Sequence, residues 1–408
     1  MLFKRSSISD KKERILTVLD IGSSKVACFI ARIKPKDASK QLLGRSSDIE
    51  ILGYGVCRSI GIKGGIISNM AEAETSIKFA VSEAEKAANI EVKSILVGIN
   101  SARIKSRNIF VNIDLDGKAV DYLLLSKLMQ KVRPNAKETI LHCLPVEYRL
   151  DESLAIENPI GMIGNNLKAK LQLLSIDFSA LQNLELCLQR CYLDVEGVVA
   201  APFASALAVL LEQEMAVGGI CIDIGAATTS CAAFLKNRLI YATTVPCGSN
   251  HITLDLERSL GLSFEKAEKL KCLEGFLDAN IKEKNLTSVI TARGEEILIL
   301  IDKSLKAVAA NFIKGKTIVL TGGGSYLGAY TDLAEKIFKT KVRLGRPLGF
   351  TNIQSLPNSA AYSTALGLLA YPEYVEQNNF TVLAAVQKCF SFRNCFLALG
   401  KKINRMIY

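Results

Sequence analysis

The chain has 408 residues, room for about two to four compact units, and 49% of them are apolar, which excludes a disordered chain and permits a sizeable core. Lys and Arg outnumber Asp and Glu by 51 to 40, and the net charge of +11 favours an anionic partner such as a nucleotide, a nucleic acid or a lipid surface. Eleven cysteines without a C-x-x-C, and only two histidines, His142 and His251, argue against a zinc site.

The polar opening "MLFKRSSISDKKER" carries no export signal, and unpaired thiols suit a reducing cytosol. The longest apolar run, "VVAAPFASALAVLL", has 14 residues and a proline. That falls short of the roughly 18 needed to cross a bilayer. Lys388, Arg393, Lys401, Lys402 and Arg405 lie in residues 388–408, which hold no acid. Elsewhere the excess is thinly spread, without the aromatic-interleaved basic stripe of a nucleic-acid binder, so no nucleic-acid partner is expected.

In chain order, "TVLDIGSSKVACFI" (17–30) is an apolar strand ending in Asp20, a small polar turn, and an apolar return. It reads either as a plain hairpin or as a turn that faces a phosphate, with Asp20 beside a metal ion. "KPKDASKQLLGRSSD" reads as a loop and "IEILGYGVCRS" as a strand. "NMAEAETSIKFAVSEAEKAAN" places Ile77, Ala80, Val81 and Ala84 at helical spacing. "KSILVGIN" is a buried strand.

Residues from about 100 to 170 read as an inserted β-α-β-β unit. Its parts are "RNIFVNI", a helix around "SKLMQKV" with Ser126 as N-cap candidate, "TILHCLPVEYRL" and "AKLQLLSI". The alternation then resumes with "SALQNLELCLQRC" (helix), "VEGVVA" (strand) and "FASALAVLLEQEM" (one helix).

"CIDIGAATTSCAAF" repeats the opening pattern: apolar strand, Asp-Ile-Gly, small or hydroxyl turn, apolar return. Asp20 and Asp223 are 203 positions apart, half the chain. Two matched turns in equivalent halves point to related domains facing one ligand. "KTIVLTGGGSYLGAYTDLAEKIF" adds a buried strand, three glycines and a helix. Gly322, Gly323 and Gly324 leave backbone open to a flat or anionic ligand, and the helix would add its positive end.

These motifs, in this order, resemble the actin/Hsp70/sugar-kinase superfamily. Within it the chain resembles the FtsA family of bacterial cell-division proteins, through "DIGSSKV", "LPVEY", "NPIG", "AKLQLL", "DIGAATT", "GLSFEKAEKLK", "TGGGSYLG" and "YSTALGLL". The resemblance implies an α/β, actin-like (ribonuclease H-like) duplicated two-domain fold with a nucleotide cleft, an inserted 1C subdomain and a C-terminal amphipathic helix. It implies 1A over 1–99, 171–200 and 355–372, 1C over 100–170, 2A over 201–252 and 311–354, and 2B over 253–310. A linker, 373–387, and a membrane-targeting helix, 388–408, would follow.

The cofactors it implies are ATP and Mg²⁺. Gly22, Ser23, Ser24 and Lys25 match the first phosphate loop, and Gly225, Thr228 and Thr229 the second. Asp20 and Asp223 match the acids that hold the metal, through water. Glu268 and Lys271 in "AEKLK" match residues near ribose and adenine, though the same residues suit a solvated helix face. Gly322, Gly323 and Gly324 match the adenosine loop. Arg293 and Glu296 match the family's R-x-x-E contact to the FtsZ C-terminal peptide, or form an exposed i, i+3 pair.

The second loop departs from the family's Asp-Ile-Gly-Gly-Gly-Thr-Thr-Asp. Ala226 and Ala227 would be strained by about 1 kcal/mol if either needs positive φ, and Ser230 replaces an acid. ATP binding is expected to survive, with hydrolysis slow or absent and no general base identified.

In the tail, Cys389, Phe392, Phe396, Leu399, Ile403 and Met406 step by 3 and 4, one stripe on a helix. Lys401, Lys402 and Arg405 fall opposite. Such a helix suits an anionic membrane surface, or a last helix packed on the core. The leading reading is an ATP-binding tether of FtsZ polymers. It would sit on the cytoplasmic face of the inner membrane at the septum, self-associate into oligomers or filaments, and help assemble the divisome. The alternatives are an FtsA-like pilus-assembly scaffold and a small-molecule kinase of the same superfamily.

Overall fold

The computed structural model describes residues 13–35, 47–152, 155–274, 284–309, 313, 315–327, 330–353, 356 and 358–378. The expected tail helix and residues 379–387 of its linker lie outside them; residues 373–377, expected in that linker, instead continue a helix that begins at Ser363, with Glu373 and Tyr374 buried. Among the described residues no helix is long and apolar enough to cross a membrane.

The first half is built on strands β1 (Arg14–Ile21), β2 (Lys25–Pro35) and β3 (Ser47–Arg58), the short pair β4 (Ile62–Lys63) and β5 (Ile66–Ile67), helix α1 (Met70–Ala88) and β6 (Ser94–Ile99). Helix α1 starts at Asn69, whose side chain accepts the Glu72 N–H, and buries Ile77, Ala80, Val81 and Ala84, the apolar face that the spacing predicts.

The inserted unit follows: β7 (Lys105–Asp114), α2 (Tyr122–Gln130), β8 (Glu138–Leu150) and β9 (Asn166–Asp177). Its sheet order is β7-β9-β8, so the last strand is central. The edge expected at 170 therefore falls inside β9, and the sheet runs on to Asp177. The N-cap of α2 is Asp121, not Ser126: the Asp121 carboxylate accepts the Leu124 N–H at 2.7 Å, and Ser126 lies inside the helix.

Helix α3 (Phe178–Arg190), β10 (Asp194–Ala200), α4 (Ala201–Val209) and α5 (Glu212–Val217) come next. The single helix expected over "FASALAVLLEQEM" is two. Leu210 is extended at φ −80° and ψ 136°, and the Leu211 N–H is taken by Glu214 Oε2 at 2.9 Å, which starts a new helix.

The second half holds β11 (Gly219–Ile224), β12 (Thr229–Leu235), β13 (Arg238–Val245), α6 (Ser249–Leu260), α7 (Phe264–Glu274), α8 (Lys284–Ala309), β14 (Thr317–Thr321), α9 (Tyr330–Phe338) and β15 (Val342–Leu344); β16 (Phe350–Thr351) and α10 (Ser363–Gln377) then return to the first half, β16 pairing with β3 and α10 packing on β1, β2 and β6.

Two sheets, β10-β6-β1-β2-β3-β16 and β13-β12-β11-β14-β15, share one plan. In each, a hairpin is flanked by a strand parallel to its first arm. Strand β1 pairs antiparallel with β2 and parallel with β6; β11 pairs antiparallel with β12 and parallel with β14. Asp20 faces Ala27 across one hairpin and Asp223 faces Ser230 across the other. Both acids thus end equivalent strands, at the carboxyl edge where open α/β sheets bind ligands.

Helices α4 and α10 cross between the halves. A Cβ on Gly367 would lie 1.7 Å from Ala204 O, so only glycine permits that approach. His142 of the inserted sheet is buried there. Its Nε2 accepts the Ala200 N–H at 3.0 Å, and burial lowers the imidazole to about 3, so it stays neutral and structural.

Candidate functional site

The two matched turns have the same internal bond. The Gly22 N–H donates to Lys25 O at 3.0 Å, and the Gly225 N–H donates to Thr228 O at 3.0 Å. A Cβ would come within 3.0 Å of Lys25 O at Gly22 and 2.9 Å of Thr228 O at Gly225, so both turns close on glycine. They face one cavity.

Asp20, Gly22, Ser23, Ser24, Lys25, Asp223, Gly225, Thr228, Glu268, Lys271, Gly322, Gly323 and Gly324 all line that cavity. Of the residues matched to nucleotide contacts, Thr229 alone does not. Strand side chains alternate, so Thr228 faces the cavity and Thr229 turns into the core, fully buried. Ser230 is also buried, and neither hydroxyl has a hydrogen-bond partner among the described residues.

Ala226 and Ala227 line the cavity without strain: neither is among the non-glycine residues at positive φ. The expected conformational penalty is therefore absent. The carbonyls of Gly225 and Ala226 accept the Ser249 and Asn250 N–H groups at 2.9 and 2.8 Å. This ties the loop to the start of α6 and uses donors at that helix end.

The glycine run divides into unlike positions. Gly322 has φ +88°, and a Cβ there would lie 2.2 Å from Asp223 Oδ1; one on Gly324 would lie 2.5 Å from Ile224 Cγ2. Gly323 would meet only Ala361 Cβ, at 3.7 Å. The helix expected directly after the glycines is displaced: a 3-10 turn, Gly323–Tyr326, intervenes, and α9 begins at Tyr330. The positive end of α9 is thus not at the glycine turn.

Burial pushes the Asp20 carboxyl up to about 7, opposed by Lys25 and assisted by Asp223. Burial also raises Asp223, against hydrogen bonds from Ser205 and Thr364 and the Lys25 charge. Lys25 is lowered by burial, with both acids pulling the other way, and its Nζ sits 4.4 Å from the Tyr362 ring centroid. Two desolvated carboxylates lining one cavity suit a hard cation. Among the described residues no cluster of three or more His, Cys, Asp or Glu could hold a metal. A metal would therefore draw its other ligands from phosphate and water, as Mg²⁺ does.

At the other end, the Lys271 ammonium spends its three donors inside the protein. It donates to Ser249 O at 3.2 Å, Thr253 Oγ1 at 2.9 Å and Glu268 Oε2 at 2.7 Å. Burial pushes Glu268 up, but the bonds from Lys271 and Thr253 outweigh it and hold the carboxyl below its usual value. Glu268 Oε2 is committed to these partners, while among the described residues Oε1 meets only the weak Cys272 thiol donor, at 3.7 Å. Glu268 and Lys271 of "AEKLK" thus stand in a cavity wall, while Lys269 between them is exposed.

Asn100, Ser249, Asn250, Cys272, Tyr326, Leu327, Asn358, Ala361 and Thr364 also line the cavity and were not expected from sequence. Asn100 had a usable signal, a polar residue just past a buried parallel strand.

Arg293 and Glu296 lie elsewhere, on α8, at a shallow depression shared with Asp255, Arg258, Ser259, Val289 and Ala292. The Arg293 guanidinium holds Asp255 through Nε and Nη2 at 2.6 and 3.0 Å, and Glu296 through Nη1 at 2.5 Å. The i, i+3 pair is present, and Asp255 is a third member. Phe392, Phe396, Leu399, Lys401, Lys402, Ile403, Arg405 and Met406 lie outside the described residues.

Residues 220–367 match the family model described as cell division protein FtsA, and residues 101–175 the one described as the SHS2 domain inserted in FtsA. Cell division protein FtsA of Rhizobium meliloti is 35% identical over 395 residues, covering 90% of this chain and 89% of that protein. Its counterpart in Escherichia coli is 26% identical over 390 residues, covering 88% and 90%. Among solved structures, the PilM–PilN type IV pilus biogenesis complex aligns with a TM-score of 0.65 at 15% identity, over 88% of this chain and 98% of that one. MreB5 of Spiroplasma citri bound to ADP aligns with a TM-score of 0.51 at 11% identity, over 90% and 99%. At those identities the likeness is one of fold, and the fold is actin-like with an inserted unit.

Proposed function

Because the chain belongs to the FtsA family of cell-division proteins, we propose that it binds ATP with Mg²⁺ in the cleft and tethers FtsZ polymers to the cytoplasmic face of the inner membrane at the septum, where it helps assemble the divisome. The observation that carries the nucleotide part is the pair of turns closed by the same internal hydrogen bond, one from each half, facing a single cavity. Gly22 to Lys25 and Gly225 to Thr228 would cradle the phosphates, and Asp20 and Asp223 would hold Mg²⁺ through water. Bound Mg²⁺ would neutralise phosphate charge. Glu268 Oε1 is the acceptor for a sugar hydroxyl, with Lys271 holding it in place. Gly322 to Gly324 would let the adenosine approach the backbone.

Binding rather than rapid turnover fits the lining. Lys271 and Thr253 occupy Glu268, Ser205 and Thr364 occupy Asp223, and Asp20 lies on the metal side. The purified protein is expected to bind ATP with Mg²⁺, and Asp223→Ala to bind it at least about tenfold more weakly in a fluorescence titration. Equal affinity would remove the second turn from the site. Phosphate release above about 1 per second, a typical kinase rate, would overturn the slow-turnover reading.

For FtsZ, the depression around Arg293 is the proposed peptide site. The cognate FtsZ C-terminal peptide should bind at micromolar strength, about −8 kcal/mol. Because Arg293 also neutralises Asp255, Arg293→Met is a cleaner probe than a charge reversal; Arg258→Glu, on the exposed rim, is the second. Both should weaken the peptide while circular dichroism stays unchanged. Normal peptide binding by both variants would place the site elsewhere. Self-association into oligomers or filaments is part of the same reading.

A further inference from the structure

Asp223 ends a strand of the second sheet, yet part of what fixes its carboxylate comes from the other half. Its Oδ2 accepts the Ser205 hydroxyl from α4 and the Thr364 hydroxyl from α10, the latter at 3.3 Å. The two hydroxyls are 2.9 Å from each other. The three groups form a closed, buried triangle. It sits where α4, packed under the second sheet, crosses α10, packed under the first.

The same end of α10 holds the neighbouring strand. The Gly322 N–H donates to Ala360 O at 3.1 Å, and the Thr321 and Ser363 hydroxyls are 2.6 Å apart. On its other side Thr364 packs against the first half: a Cβ on Gly98 would lie 3.1 Å from Thr364 Cγ2 and 3.7 Å from Asp20 Oδ1. Thr364 therefore touches the surroundings of both acids, by its hydroxyl on one side and its methyl on the other.

Each hydroxyl has one proton to give, and both are directed at this triangle. With Oδ2 committed, Oδ1 is the oxygen left at the Gly322 wall of the cleft. A carboxylate anchored through one oxygen cannot rotate about its terminal bond without breaking charge-assisted hydrogen bonds in a dry setting.

We infer that Ser205 and Thr364 are positioning residues that aim the Asp223 carboxylate at the metal side of the bound nucleotide, with Thr364 carrying that alignment from one half to the other. This rests on the ATP–Mg²⁺ reading. Ser205 does not line the cavity and Thr364 does; in this role both act through Asp223.

The test measures the affinity for a fluorescent ATP analogue in Mg²⁺ and in EDTA. Thr364→Val keeps the shape and removes the hydroxyl; Thr364→Ser keeps the hydroxyl and removes the methyl. Thr364→Val is expected to lose about tenfold in Mg²⁺ and less than twofold in EDTA. Thr364→Ser should stay within about twofold of wild type in both. Ser205→Ala, at another corner of the triangle, should repeat the Mg²⁺-specific loss. Equal losses in Mg²⁺ and EDTA, a Thr364→Ser defect as large as that of Thr364→Val, or no loss in either hydroxyl variant would overturn the inference. If the wild type binds no nucleotide in either buffer, the ATP reading itself falls and this one with it.

Discussion

Gly322→Ala is expected to lower stability by about 2–4 kcal/mol and to weaken ATP binding at least about a hundredfold. The residue holds φ +88°, which an L side chain rarely adopts, and the added methyl would lie 2.2 Å from Asp223 Oδ1, 2.6 Å from Ile224 O and 2.8 Å from Ile224 N. Two of these are backbone atoms inside a sheet, so relief has to come from the Asp223 carboxylate or the glycine turn. Both belong to the site. Gly323→Ala is the control: its methyl would meet only Ala361 Cβ at 3.7 Å, ordinary contact, and stability should stay within about 0.5 kcal/mol of wild type. Denaturant titration and nucleotide titration of both variants decide it. A Gly322→Ala protein with wild-type stability and affinity would show that this wall of the cleft yields, and that the glycine is not needed there.

Deleting residues 388–408 is expected to abolish flotation with anionic liposomes while leaving ATP binding intact. Phe392, Phe396, Leu399, Ile403 and Met406 recur at steps of 3 and 4, so a helix there would carry them as one stripe, with Lys401, Lys402 and Arg405 away from it. A 21-residue helix is about 31 Å long and can lie in the interface, its stripe among the acyl chains and its cations at the headgroups. Each cation near anionic lipid contributes about 1 kcal/mol at most. In such a helix Gly400 would cost nearly 1 kcal/mol, so lipid is expected to complete its folding. Phe396→Asp puts a charge at the middle of the stripe and should nearly match the deletion. Added salt should weaken flotation only in part, since the apolar contribution is unscreened. A tail held by charge alone would instead release at high salt and tolerate Phe396→Asp. A helix packed on the core would give no flotation and a truncated protein that unfolds or aggregates, and that result would end the tether reading.

Much of the site was legible because its signals are local. An apolar run that ends in Asp-Ile-Gly, written twice half a chain apart, encodes a strand, a tight turn and a return. Strand pairing then places Asp20 and Asp223 at equivalent sheet edges. The buried face of α1 was readable for the same reason, since helical periodicity alone selects it.

Errors fell where competing local signals are close in energy. Asp121 outbid Ser126 as N-cap because its charged side chain reaches the Leu124 N–H. Leu210, apolar and compatible with a helix, took an extended conformation because Glu214 captured the next N–H. The methyls of Ala226 and Ala227 suggested strain that the backbone does not have.

Tertiary structure alone decided the partners of the buried polar groups. Ser205, Thr253 and Thr364 sit in helices where a hydroxyl residue has no periodic signature. Each acquires a role only from atoms that the fold brings to it: Asp223 for Ser205 and Thr364, Lys271 and Glu268 for Thr253. Thr364 and Asp223 are 141 positions apart, and a hydrogen bond of 3.3 Å between them depends on the crossing of α4 and α10, which the close approach of Gly367 to Ala204 permits. Periodicity and turn chemistry fix a segment's own shape. Which oxygen meets which hydroxyl is set by packing between distant segments, and that is a property of the whole chain.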